Sequence, residues 1–192
     1  DLYQLEQLAQ SSNKVIMMSE NGMDYMPNSP DIKIQEKVFI AQITIAKKLK
    51  LPIIWHSQIP EINSFGNHKI TLDILNMEQA YTVGGIMHYF QADYTTAKKA
   101  IESGFLISFA KPLLRQRHQK EIIEKISLEH MVIETDSSPQ PWKENRSLWT
   151  EPKDTLLIAK KIAEIKNMSV DAVINATTSN LNQLFNNRFI EY

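Results

Sequence analysis

Four residues that commonly bind divalent metal ions each follow a short apolar run of the sequence. They are Glu20, His56, His88 and Asp136. Imidazole and carboxylate groups together bind Zn, Mn or related divalent ions and leave coordination positions open for water. An ion bound in this way lowers the pKa of its water toward neutrality and so provides a hydroxide nucleophile. The four residues therefore indicate a hydrolytic metal centre.

The composition limits the kind of metal centre and of protein. The chain has no Cys among its 192 residues, which excludes thiolate ligands and disulfide bonds. A formal net charge of −1 gives no global attraction to nucleic acids or anionic membranes, although an active site needs only a local field. No apolar run is long enough to cross a bilayer, and the first residues do not resemble a signal peptide. We expect a cytoplasmic protein without a membrane or obligate protein partner.

Buried strands would position the four residues. Five apolar runs lack strict alternation of polar and apolar residues, which is typical of strands covered on both faces. They span residues 14–19, 51–55, 83–87, 104–108 and 130–134. The first, second, third and fifth of these runs lead into Glu20, His56, His88 and Asp136 respectively.

Segments with helical periodicity separate the strands. They span residues 35–49, 71–80, 94–103 and 118–126, followed by a long helix from Pro152, a helix capped by Ser169, and a last packed segment at 180–185. This alternation predicts an α/β fold of βαβ units with a parallel sheet. Both a doubly wound open sheet and a (β/α)8 barrel fit the pattern. Each places functional residues at the carboxyl ends of its strands.

Longer motifs surround the candidate ligands. They are Ser-Glu-Asn-Gly-Met-Asp-Tyr (19–25), Leu-Pro-Ile-Ile-Trp-His-Ser (51–57), Gly-Gly-Ile-Met-His-Tyr-Phe (84–90), Gly-Phe-Leu-Ile-Ser-Phe-Ala (104–110), Val-Ile-Glu-Thr-Asp-Ser-Ser-Pro (132–139) and Trp-Thr-Glu-Pro (149–152). In this order they resemble the motifs of the TatD family of metal-dependent hydrolases, and the last resembles the family's Asn-Glu-Pro box. The resemblance extends from about residue 14 to residue 185.

The resemblance implies a TIM barrel of the (β/α)8 type. Residues 1–192 would form a single domain, the C-terminal portion of such a barrel with five βα units. It also implies one or two divalent ions, of Zn, Mn or Mg, that serve the hydrolysis of ester bonds, most often the phosphodiesters of DNA. The metal ligands would be Glu20, His56, His88 and Asp136. Glu20 would bridge two ions, and Asp136 would be the catalytic group that accepts the proton of the attacking water.

Two departures from the family pattern keep alternatives open. The family usually begins with a His-x-His pair on its first strand, which is absent here, so we expect three further βα units, roughly 60–75 residues, before Asp1. An inactive truncated fragment is therefore one alternative. The second departure is Gln58, where the family often has Arg. This exchange leaves room for an amidohydrolase that acts on a small C–N or lactone substrate.

Further residues are expected around the metal centre. Glu134 would orient its neighbours, Asp24 would either do the same or form a turn, and Glu151 would anchor the last loop. Lys111 and Arg115 are candidates for contact with substrate phosphates, although a solvated helix start is the preferred interpretation. His68 and His130 are expected to be surface or loop residues. 

Overall fold

A parallel sheet forms the centre of the computed structural model, which describes residues 2–58, 66–140, 144–145 and 149–185. Within these residues the sheet has five strands, in the order β1-β2-β3-β4-β5. They are β1 (Met18–Asp24), β2 (Ile53–Gln58), β3 (Gly85–Met87), β4 (Phe105–Phe109) and β5 (Met131–Ile133). All neighbouring strands are parallel. A doubly wound sheet reverses its strand order midway, so this uninterrupted order favours the winding of a barrel.

Besides short 3-10 turns, seven α-helices accompany the sheet in the described part of the chain. They are α1 (Leu2–Gln10), α2 (Ile32–Leu49), α3 (Gly66–Met77), α4 (Tyr94–Glu102), α5 (Arg117–Lys125), α6 (Thr155–Lys166) and α7 (Val170–Leu184). Side-chain oxygens of Asp31, Asp93 and Ser169 accept backbone N–H groups in the first turns of α2, α4 and α7, which explains where these helices begin. None of the described helices has the length and apolarity needed to cross a membrane.

Side chains of the sheet alternate between two faces. One face belongs to the main hydrophobic core, together with residues of helices α2 to α6. The sheet residues of this core include Ile53, Trp55, Met87, Phe105, Ile107, Phe109 and Met131. The other face carries a smaller apolar cluster of Ile54, Ile86 and Val132, against which Met17, Leu106, Leu181 and Leu184 pack. Right-handed crossovers in one direction put successive connecting helices on one face. The second face contacts α7 through Leu181 and Leu184.

Strand β1 lies further along the chain than the apolar pattern predicted. The prediction was 14–19, whereas the strand is Met18–Asp24 and its pairing with β2 begins opposite Ile53. The apolar pattern predicts only the buried part of a strand. The hydrogen-bonded pairing of β1 with β2 continues beyond it, through polar residues near the carboxyl end of the sheet. Glu20 and His56 consequently lie within their strands and not directly after them.

Helix α3 also differs from its prediction, and this changes the environment of His68. The helix spans Gly66–Met77 instead of 71–80, and His68 is buried within it, with only 6% of its surface exposed. The expectation of a surface or loop histidine was therefore wrong. His68 precedes the buried Leu72 and Leu75 by four and seven residues, so it lies on the same buried stripe of the helix.

Candidate metal centre

His88 and Glu134 follow directly after β3 and β5 but remain bonded to the neighbouring strands. The N–H of His88 donates to the carbonyl oxygen of Trp55 at 2.9 Å, and the N–H of Glu134 donates to that of Phe109 at 3.0 Å. Each lies two residues beyond a member of the smaller apolar cluster, so the alternation of strand residues places both side chains on the second face of the sheet. Their backbones are thus held by the sheet itself.

Three potential ligand atoms come together above this face. His88 Nε2 lies 2.8 Å from Glu20 Oε1 and 3.8 Å from Asp136 Oδ1, and the three residues offer ligand atoms that all lie within 4.8 Å of one another. The imidazole is 12% exposed, whereas about half of each carboxylate side chain is exposed. The donors therefore surround a common point that is open to solvent on one side, and this donor set suits a divalent ion.

Glu134 determines how the imidazole of His88 is oriented. Its Oε2 lies 2.6 Å from His88 Nδ1, and its Oε1 accepts the backbone N–H of Tyr89 at 2.7 Å. An ionised carboxylate can only accept, so Nδ1 carries the proton of this hydrogen bond. In the neutral ring the lone pair is then on Nε2, which faces the other two ligand groups. A carboxylate that fixes the tautomer of a ligating histidine is a usual partner in metal sites.

The charges around His88 make the site strongly negative. Burial alone would lower the pKa of His88, but its hydrogen bond to Glu134 and the charges of Glu134, Glu20 and Asp136 raise that pKa above its ordinary value. Burial alone would raise the pKa of Glu134, but hydrogen bonds from His88, Ser108 and a backbone amide hold it below its usual range. Three carboxylates around one imidazole produce the local negative field that attracts a divalent cation.

His56 lies beside this cluster, but its ring nitrogens have other partners. The ring centroids of His56 and His88 are 5.8 Å apart. Nε2 of His56 is 3.0 Å from Gln58 Oε1, and Nδ1 is 3.4 Å from the carbonyl oxygen of His88. The side-chain oxygen of Gln58 thus accepts a hydrogen bond from His56. An Arg at this position could not do so, because its guanidinium only donates. Among the described residues the structure unites three of the four candidate ligands, and ligation by His56 stays a prediction.

Gly22 permits the close approach of β1 and β2 next to His56. The two residues are paired in the parallel ladder, and Gly22 has a φ of 145°. A Cβ atom on Gly22 would lie 1.8 Å from the carbonyl oxygen of His56, far inside contact distance. Glycine is therefore required here, two residues after Glu20, for the strand that carries Glu20 to pair with the strand that carries His56.

Asp24 takes part in a turn at the end of β1. Its Oδ1 accepts the backbone N–H of Met26 at 2.9 Å, which is the contact of an Asx turn. Gln35 in α2 bonds to the backbone of Asp24 on both sides, accepting from its N–H at 2.7 Å and donating to its carbonyl oxygen at 2.8 Å. Of the two roles considered for Asp24, these contacts support the turn.

Lys111 and Glu151 connect the turn after β4 with the start of α6. Lys111 Nζ lies 2.7 Å from Asp154 Oδ2 and donates to Thr150 Oγ1 at 3.2 Å. The backbone N–H of Glu151 donates to the same Asp154 oxygen at 3.0 Å within a capping box. These contacts support the anchoring role predicted for Glu151, and they give Lys111 a carboxylate partner within the chain. Arg115, the other candidate phosphate contact, is exposed.

A cavity of about 460 Å³ adjoins the cluster on the second face of the sheet. The polar lining includes His88, Glu134 and Ser108, together with hydroxyl residues of β1, α6 and α7. Ile54, Ile86, Val132 and residues of α6 and α7 contribute most of the apolar lining. Ser108 was missed by the sequence reasoning, although it contributes to the low pKa of Glu134 through a side-chain hydrogen bond. The available signal was a single hydroxyl residue within the apolar run of β4.

Comparison with known proteins identifies relatives over nearly the whole chain. A family model described as TatD related DNase matches residues 1–186. The metal-dependent hydrolase YabD of Bacillus subtilis is 33% identical over 193 residues, which cover 96% of this chain and 70% of YabD. The human deoxyribonuclease TATDN3 is 29% identical over 178 residues, which cover 90% of this chain and 61% of TATDN3.

The crystal structure of YjjV, a TatD homolog from Escherichia coli K12, has the same fold. It gives a TM-score of 0.82 at 23% sequence identity, covering 96% of this chain and 70% of YjjV. With the sequential order of parallel strands, this similarity confirms the predicted α/β fold of the TIM-barrel type. The chain spans 61 to 70% of the length of the three proteins compared. Since the family model matches almost every residue, the chain belongs to the TatD family of DNase-related, metal-dependent hydrolases.

Proposed function

We propose that the protein is a divalent-metal-dependent phosphodiesterase that hydrolyses DNA. The observation that carries this proposal is the cluster of Glu20, His88 and Asp136, whose ligand atoms lie within 4.8 Å of one another. The names of the family model and of the human relative, both of which denote deoxyribonucleases, support DNA as the substrate. We further propose Zn, Mn or Mg as the metal, with one or two ions and with Glu20 as the bridging ligand where two are bound.

Each residue of the cluster has a distinct task in this proposal. Glu20, His88 and Asp136 would hold the ion, and His56 would be a fourth ligand if its ring nitrogen bound the ion in place of Gln58. When bound, the ion supplies a Lewis acid that activates water and offsets the negative charge developed at phosphorus. Glu134 keeps the proton of the neutral His88 ring on Nδ1, which leaves the lone pair of Nε2 available as a metal ligand. A carboxylate oxygen of Asp136 accepts the proton of the attacking water.

Substitution of two ligands tests the proposal. In the full-length protein, His88→Ala and Asp136→Ala should each remove cleavage of a DNA oligonucleotide and weaken Mn binding measured by calorimetry. Glu102→Ala is the matched control because Glu102 is an exposed carboxylate of α4 that pairs only with Lys98 among the described residues. Cleavage at the wild-type rate by either ligand variant, in the same metal, would show that the site is assigned wrongly.

A second candidate is an amidohydrolase that acts on a small C–N or lactone substrate. The contact of Gln58 with His56 favours it, because the position at which the family often has a basic residue is here neutral and bonded to a histidine beside the cluster. A panel of phosphodiester, amide and lactone substrates, each with Mg, Mn and Zn, separates the two candidates. Turnover of amides or lactones without turnover of any phosphodiester would replace the first candidate by the second.

A further inference from the structure

Gln119 is a fully buried polar residue of α5 that does not belong to the ligand cluster. Its Nε2 donates to the carbonyl oxygen of Phe90 at 2.9 Å and to Oε1 of Gln116 at 3.0 Å. Its own Oε1 has no hydrogen-bond partner among the described residues. Because burial of an amide with an unpaired oxygen costs stability, an apolar residue would suit this position better unless the N–H groups have a task. The bond to Phe90 indicates what that task is.

The carbonyl oxygen of Phe90 belongs to the segment that leaves the metal-binding cluster. Phe90 follows His88 by two residues, and each of the two peptide groups between them is held by a different element. The N–H of Tyr89 donates to Glu134, which follows β5, at 2.7 Å. The N–H of Phe90 donates to the carbonyl oxygen of Ser108 in β4 at 2.9 Å. The next carbonyl group, that of Phe90, is the one that α5 binds, so three elements fix the backbone after His88.

Tyr89 needs this support because its backbone is left-handed. Its φ is 48°, a conformation that a residue with a Cβ atom rarely adopts. Such a residue keeps its conformation only where the surrounding contacts determine it. Phe90 adds a further contact, since its buried ring packs edge-on against Phe109 at a centroid distance of 5.8 Å. The turn after His88 is therefore set by tertiary contacts and not by local preference.

We propose that Gln119 is a positioning residue of the metal centre, which holds the left-handed turn at Tyr89 through the carbonyl group of Phe90. Without this bond the turn relaxes toward the conformations that Tyr89 prefers, and the Tyr89 N–H no longer meets Glu134. Glu134 in turn orients the imidazole of His88. A displaced ligand weakens metal binding, because the geometry of such a site must be held within about 0.5 Å. The inference rests on the proposed metal-dependent function and adds a residue of the helical layer to it.

Two substitutions in the full-length protein test this role. Gln119→Met keeps the length of the side chain but removes both N–H donors. Mn affinity, measured by calorimetry, and kcat with a DNA oligonucleotide should each fall about tenfold, with a smaller change in KM, as expected for loss of an outer partner of a ligand. Gln119→Glu keeps a donor for Phe90 only while its carboxyl group is protonated, since an ionised carboxylate cannot donate.

The pH dependence of Gln119→Glu gives a readout that a general loss of structure would not produce. Burial raises the pKa of a carboxyl group above its ordinary value, so this variant gains its O–H donor as the pH falls. Its Mn affinity, divided by that of the wild type at the same pH, should therefore rise from about pH 8 to about pH 6. A ratio that stays constant overturns the proposal.

Asn180 provides the matched control, at the opposite end of the sheet from the metal centre. It is a buried amide of α7 whose Nδ2 donates to the carbonyl oxygens of Leu128 and Met131 at 2.9 and 2.8 Å, where β5 begins. Asn180→Leu should lower the stability toward urea but leave the Mn affinity and kcat of the folded protein unchanged. Asn180→Asp should show no rise in relative Mn affinity as the pH falls.

The outcomes separate this role from the function on which it rests. A wild-type protein that neither binds Mn nor cleaves the oligonucleotide overturns both. Mn binding without cleavage overturns the proposed DNA hydrolysis, and Mn affinity then still tests Gln119. Where the wild type is active, unchanged values in Gln119→Met overturn the positioning role alone, as does an equal loss in Asn180→Leu. If Gln119→Met fails to fold, the pH dependence of Gln119→Glu decides.

Discussion

Nδ1 of His88 lies 2.6 Å from Oε2 of Glu134. The same carboxylate accepts the backbone N–H of the residue after His88, so one side chain fixes both the ring and the peptide next to it. Glu134 is not among the atoms grouped as potential ligands. It acts through His88 and is a positioning residue of the proposed metal centre.

The first prediction concerns Glu134→Gln. A Gln has one acceptor oxygen where Glu134 uses two, so one of the two N–H donors would face an amide N–H₂ group. We expect metal affinity and kcat to fall by roughly 10- to 100-fold, with a smaller change in KM. Calorimetric titration with Mn and steady-state kinetics measure these changes.

The pH profile distinguishes positioning from a general loss of structure. Loss of the Glu134 charge should lower the pKa of His88, which that charge raises in the wild type. The limb of the activity profile that reports protonation of this histidine should therefore move to lower pH in Glu134→Gln. A profile that falls uniformly without moving would contradict the positioning role, as would unchanged metal affinity. Glu102→Gln is the control.

The second prediction concerns Gly22→Ala. The added Cβ would meet the carbonyl oxygen of His56 at 1.8 Å, and the φ of 145° would be strained for any other residue. Together these effects should lower the free energy of unfolding by about 3 kcal/mol and reduce metal affinity. Gly104→Ala is the matched control, because Gly104 also has positive φ but its nearest contact would be an ordinary 3.6 Å. Urea denaturation measures the loss of unfolding free energy in both variants. Equal losses would contradict the requirement for glycine at position 22.

The third prediction concerns the pH dependence contributed by His68. Burial, with the charge of His56 as a smaller cause, lowers the pKa of His68 to about 4. An unfolded histidine has a pKa of about 6.5, so between these values the unfolded chain binds more protons and stability falls as pH falls. This one group should cost about 2 kcal/mol of unfolding free energy between pH 7 and pH 5.

The variant His68→Gln tests this dependence. It cannot titrate, so its stability should fall less than that of the wild type over the same pH interval, whatever its absolute stability at pH 7. Chemical denaturation at pH 7, 6 and 5 gives both slopes. Parallel slopes would show that His68 is not buried in its neutral form.

The fourth prediction concerns addition and removal of metal. An ion that binds only the folded chain at 100 times its Kd should raise the free energy of unfolding by about 2.7 kcal/mol. Chelation by EDTA should reverse this gain. Asp136→Ala should gain less at the same Mn concentration, because one of the three clustered ligands is lost. A gain of equal size in the variant would place the bound ion elsewhere.

The sequence predicts the strand and helix alternation because apolar runs and helical periodicity record burial directly. It also predicts that Glu20, His56, His88 and Asp136 lie together, because carboxyl ends of parallel strands meet at one edge of a sheet. The structure brings potential ligand atoms of three of them together, and His56 lies beside them. The sequence could not show that Gln58 binds His56 or that Asp154 binds Lys111. The residue type determines which groups a side chain can bind. The fold of the whole chain determines which partner lies within reach.

The order of the strands relates the ligand cluster to the curvature of the sheet. Glu20 belongs to β1 and Asp136 follows β5, the two outer strands of the five in the described sheet. In a flat sheet, four spacings of roughly 4.8 Å would separate these strands by about 19 Å. Their ligand atoms nevertheless lie within 4.8 Å of each other. Metal affinity should therefore depend on the curvature of the sheet. A substitution that flattens the sheet, even far from the ligands, should weaken metal binding.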